Sequence, residues 1–155
     1  MAVFGRWLYL TALMVWVGEI VFFSFVVAPK VFRTFPTADA GRAVSAIFPT
    51  YYIIGYICGA VLLCGSIGFL LNGGTRGLWS VSAALSAAML AATLYAGIVV
   101  QPRATALRPQ IHAEGAAPTV KDEFDRLHRM AVRLNGAVLV GGIILSVMTA
   151  TKLRP

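Results

Sequence analysis

The chain is predicted to fold as an all-α bundle of four membrane-spanning helices, and three observations carry that prediction. Only 12 % of the 155 residues are charged and 59 % are hydrophobic, whereas a soluble domain carries about 25 % charged residues. The charges are also spaced so that long uncharged stretches alternate with short charged ones. No residue between Arg42 and Arg76, between Arg76 and Arg103, or between Arg133 and Lys152 is charged. Finally, each stretch has helix length and lacks the alternation of a barrel strand, which needs only about 9–11 residues to cross.

The four segments fall at about 7–28, 50–71, 78–100 and 128–150, and they leave room for a single domain over 1–155. The first is too long for the roughly 7–15-residue apolar core of a secretory signal. Trp16 and Glu19 are also poor signal material, so it reads as a retained helix. Helix one ends Val26-Val27-Ala28-Pro29-Lys30 and helix three ends Val99-Val100-Gln101-Pro102-Arg103. In both, proline stops the hydrogen-bond ladder and a cation follows where the helix dipole and lipid headgroups favour one. Helices two and four then return with Pro49-Thr50-Tyr51-Tyr52 and Asp125-Arg126-Leu127-His128. This pattern suggests a parallel internal repeat of two helix hairpins. The first loop is expected to hold a short surface helix near Ala40–Phe48. The third, Ala104 to Phe124, contains Pro109, Gly115 and Pro118 and is expected to be the most mobile segment.

The net charge of +7 does not point to nucleic acid, because of where it sits. Lys30, Arg33, Arg42, Arg103, Arg108, Lys121, Arg126, Arg129 and Arg133 lie on one side of the four segments. Arg6, Arg76, Lys152 and Arg154 lie on the other. By the positive-inside rule the two longer loops are cytoplasmic and both termini are outside, in a multi-pass protein of the bacterial cytoplasmic membrane. The basic side also suits anionic lipid headgroups. The expected partners are the lipid bilayer and either further copies of the chain or other membrane subunits.

Glu19 is the one carboxylate within the uncharged run from Trp7 to Pro29. A carboxylate at that depth costs a few kcal/mol or more unless protonated, paired or facing a cavity, so such residues commonly mark a pathway or a binding site. Glu19 lies ten residues before Pro29, about 15 Å deep at 1.5 Å per residue. Asn135 lies seven residues after His128 on the same face of helix four, about 10 Å below it. Those depths allow Asn135, and His128 through water, to approach Glu19, while Arg133 points elsewhere and can snorkel to the headgroups. Tyr52, Gln101 and Arg103 gather at the cytoplasmic mouth of such a site. Small residues mark the helix seams: Ser82, Ser86, Thr93 and Gly97 on helix three, Gly55 and Gly59 on helix two.

Other chemistry finds little support. There is no Ser-His-Asp set, no phosphate-cradling glycine loop and no pair of intramembrane carboxylates, so no catalytic residue is assigned. A bis-histidine haem needs two inward-facing rings, and His112 lies in the third loop. The methionines scatter as core filler rather than clustering as copper ligands. Cys58 and Cys64, six residues apart on one helix, point about 120° apart and cannot bridge. The sequence therefore names no metal site and no cofactor.

Trp16-Val17-Gly18, the Val26-Val27-Ala28-Pro29 exit, Phe48-Pro49-Thr50-Tyr51-Tyr52, Gln101-Pro102-Arg103 and Leu127-His128-Arg129 with Leu134-Asn135 resemble the transmembrane protein 205-like family (domain of unknown function 4149). There is a weaker likeness to copper-resistance D-type membrane proteins. The resemblance covers nearly the whole chain and implies a four-helix integral membrane protein, with no established reaction. Two positions depart from the family pattern: Glu19 stands where glycine is common, and Ala131 where serine is common. Two functions fit these residues. One is binding or conduction of a small solute, proton or metal ion through a polar site of Glu19, Asn135, His128, Arg103, Tyr52 and Gln101. The other is a non-catalytic subunit or assembly factor of a larger membrane complex, with Glu19 facing a partner helix.

Overall fold

The computed structural model describes residues 2–111 and 117–152. Four helices long and apolar enough to cross a membrane account for nearly all of them: α1 (Val3–Thr34), α2 (Thr37–Leu71), α3 (Arg76–Ile111) and α4 (Pro118–Thr151). No strand occurs among the described residues. Each helix packs on its neighbours in sequence, and α4 closes the ring against α1.

The core runs down the bundle axis. Trp16 and Ile20 of α1, Leu62 of α2, Met89 of α3 and Leu145 of α4 are almost wholly enclosed. The apolar side chains pointing outward, among them Phe25, Ile57, Ile98 and Val147, form the lipid-facing surface of a multi-pass protein. The small-residue seams are where the sequence places them. Ser82, Ser86 and Thr93 of α3 are buried, and Trp16 lies across the glycine pair of α2. A Cβ on Gly55 would stand 3.2 Å from its indole nitrogen, and one on Gly59 would stand 2.9 Å from its ring.

The helices reach well past the uncharged segments. The stretch expected to hold a separate surface helix at Ala40–Phe48 is part of continuous α2, and Pro49 lies inside that helix. Most of the segment expected to be mobile is helix as well: Gln101–Ile111 continues α3, and α4 begins at Pro118. Proline is no obstacle at a helix start, where its missing N–H would be unbonded anyway. His112 and Gly115 of that segment lie outside the described residues, as does Arg154. The α1–α2 connection shrinks to two residues, Phe35 and Pro36. At the other end Gly73, at φ +84°, supplies the left-handed residue that turns α2 into α3.

Two π-helical turns interrupt the rods, at Phe23–Val27 in α1 and Ala96–Val100 in α3. Ala28 N–H donates to the Phe23 carbonyl and Gln101 N–H to the Ala96 carbonyl, each five residues back. Each turn ends two residues before a proline, Pro29 or Pro102. A proline ring collides with the carbonyl four residues earlier; widening the preceding turn moves that carbonyl aside while keeping the backbone bonded, as lipid requires.

Candidate functional site

The polar residues of the interior meet between the two π turns. Tyr51 of α2 donates its hydroxyl proton to Asn135 Oδ1 of α4 at 2.5 Å, and Asn135 Nδ2 donates to Ser24 Oγ of α1 at 3.1 Å. Three helices are thus tied through one amide. Ser24 belongs to the first π turn. Ala96 and Gly97 of the second lie beside Tyr52, and Gly97 is where the Tyr52 ring and the Tyr56 hydroxyl come against the α3 backbone. A void of about 10 Å³ remains among Trp16, Tyr51, Tyr52, Thr93, Asn135 and Val138, room for about one water molecule.

Glu19 sits at the α1–α2 seam, partly enclosed. Its Oε2 is buried and has no hydrogen-bond partner. Its carboxyl lies within electrostatic reach of Tyr51 and of Cys58, which is buried on the same helix two turns further on. Toward the end bearing the α1–α2 turn, the site is roofed by rings. Phe23 stands 5.1 Å from Tyr51 and 5.5 Å from Phe48, and Phe48 stands 5.9 Å from Tyr52. Toward the opposite end Tyr9, Leu13 and Leu62 fill the bundle.

Of the residues singled out from sequence, Tyr52 and Asn135 line the void together, and Glu19 approaches from the α1–α2 side without a hydrogen bond to either. Gln101, Arg103 and His128 are elsewhere. Gln101 faces Thr105 along its own helix at 3.4 Å, Arg103 is exposed, and the exposed His128 ring stacks on Phe124 at 6.3 Å. Two contributors were not among those residues. Tyr51 was visible as one of two adjacent tyrosines, but the choice between them depends on a rotation of about 100°. Ser24 carries no signal, since serine in an apolar helix usually bonds its own backbone. Among the described residues no three His, Cys, Asp or Glu side chains come together as a metal centre.

No curated protein and no solved structure matches the chain. The family profile described as Domain of unknown function (DUF4149) matches residues 11–113, which takes in Glu19, Ser24, Tyr51, Tyr52 and both π turns, and by that match the chain belongs to the DUF4149 family.

Proposed function

We propose that the bundle binds or conducts a small species through the Glu19 site, and that of a small solute, a metal ion and a proton, the proton fits best. The observation that carries this reading is the buried, unpartnered Oε2 of Glu19. A buried carboxylate oxygen without a donor is costly, and the cost is relieved by taking up a proton or a cation. The void of about 10 Å³ beside Tyr51 and Asn135, which Glu19 does not itself line, has no room for a larger solute. A cation would find one carboxylate rather than a ligand cluster. A proton needs neither volume nor several ligands. Tyr51, Asn135 and Ser24 then hold α1, α2 and α4 in register around the acid. Gln101, Arg103 and His128 are assigned to the mouth on the α1–α2 and α3–α4 turn side.

The paired π turns and proline exits support two copies of a helix hairpin side by side. The charge distribution supports turns in the cytoplasm of a bacterial cell and termini outside.

The test is proton flux into liposomes holding a trapped pH-indicator dye, with potassium and valinomycin clamping the potential. The wild-type protein is expected to accelerate acidification over empty liposomes, and Glu19→Gln to lose about tenfold or more of that excess. Equal flux in the two proteins removes Glu19 from the pathway.

A second reading, as a subunit or assembly factor, has its own support. An apolar groove of about 570 Å³ opens between α1 and α2, lined by Gly5, Leu8, Ala60, Gly65 and Gly68 among others. Small residues of this kind admit a further helix closely. Native mass spectrometry from the source membrane separates the readings: masses in multiples of 16.5 kDa favour a self-contained conductor, and reproducible adducts of other chains favour the subunit.

A further inference from the structure

We infer that Arg126, Arg129 and Arg133 on α4 form a binding site for the phosphate-bearing headgroup of an anionic phospholipid. The three lie at spacings of three and four residues, which places them within about 60° of one another around the helix and along about 10 Å of its length. Together with Met130 and Leu134 they line a groove of about 390 Å³. Its walls are cationic and its floor is apolar, for Met130 and Leu134 pack onto the Val100–Ala104–Leu127 cluster. All three arginines are exposed, and none has a carboxylate within ion-pair distance among the described residues. Asp122, one turn beyond Arg126, is the acidic residue nearest along that face.

Depth selects the ligand. After Arg133 the helix carries no charge until Lys152, and its outward residues are Val140, Ile143, Ile144 and Val147. Arg133 therefore stands where the lipid-facing surface changes from apolar to cationic, at the level of the headgroup phosphates. A phosphate there meets guanidinium groups that offer paired donors, and an acyl chain descends past Leu134 along the apolar face. A free phosphate ion satisfies the first contact and not the second. The inference stands apart from the role of Glu19, since none of the three arginines touches the Glu19 site and only Leu134 borders both the groove and the void beside Asn135.

The experiment is native mass spectrometry of the purified full chain in detergent with equimolar phosphatidylglycerol and phosphatidylcholine. The wild type is expected to retain phosphatidylglycerol preferentially. The triple variant Arg126→Gln, Arg129→Gln, Arg133→Gln is expected to lose that preference by about tenfold or more. The corresponding triple lysine variant, which keeps the charge, separates charge from folding and is expected to keep most of it. Arg33→Gln, an exposed cation on α1, is expected to leave it intact. Millimolar inorganic phosphate is expected not to displace the lipid. Preference surviving in the triple glutamine variant, equal loss in Arg33→Gln, or displacement by inorganic phosphate would each overturn the assignment, the last in favour of a phosphate-ion site.

Discussion

Tyr51 has one proton to donate and gives it to Asn135, whose own amide reaches Ser24 on the far side. Removing the hydroxyl leaves Asn135 Oδ1 without its donor in a site with room for about one water. Interhelical hydrogen bonds in membranes contribute about 0.6 kcal/mol on average and up to about 1.7 kcal/mol. Tyr51→Phe is expected to fall in the upper part of that range, because the bond is short and enclosed. A double-mutant cycle with Asn135→Leu, read by unfolding in mixed micelles, should return a favourable coupling of similar size; zero coupling would mean the contact contributes no stability. Glu19 and Asn135 are legible from sequence because a carboxylate and an amide are conspicuous among apolar residues. Tyr51 is only half legible and Ser24 not at all, since the neighbour that gives each its role lies on another helix.

Among the elements, α2 depends most on positions that lack a side chain. Gly59 receives Trp16, and a Cβ there would also approach Leu90 Cδ1 to 2.9 Å. Gly59→Val is expected to destabilise the bundle by about 1–3 kcal/mol through overpacking, measured as a lowered midpoint of thermal unfolding in detergent. Gly68→Ala on the same helix meets nothing within 4 Å and should leave that midpoint unchanged or slightly raised. The glycine pair is readable from its four-residue spacing; the indole that fills it is not, because spacing along one helix says nothing about rotation of the next. The π turns have a better sequence signal. Pro29 and Pro102 announce a disturbed ladder, yet whether a helix stops or widens at proline depends on the residues beyond it. Here those residues are compatible with helix, and both rods continue, to Thr34 and Ile111. A charge-based boundary therefore places each end too early.

For the whole molecule, length against thickness sets the placement in the bilayer. The helices run 32 to 36 residues, about 48–54 Å at 1.5 Å per residue, against a hydrocarbon core of about 30 Å. About 20 Å must project by that difference, and the charges say from which end. Nine of the thirteen cations cluster toward the α1–α2 and α3–α4 turns, where the helix stretches past the uncharged segments also lie. The proposed orientation therefore puts a helical extension of the bundle in the cytoplasm and leaves only the short α2–α3 turn and the termini outside. Single cysteines test it in a background with Cys58 and Cys64 replaced by alanine. Ala38 and Thr75 are both exposed, one at each end. With a membrane-impermeant maleimide on intact cells, Thr75→Cys is expected to label at once and Ala38→Cys only after permeabilisation. The reverse pattern would invert the protein and put the Arg126–Arg129–Arg133 groove in the outer leaflet. Labelling of both positions in intact cells would mean a mixed orientation, which the nine-to-four asymmetry argues against.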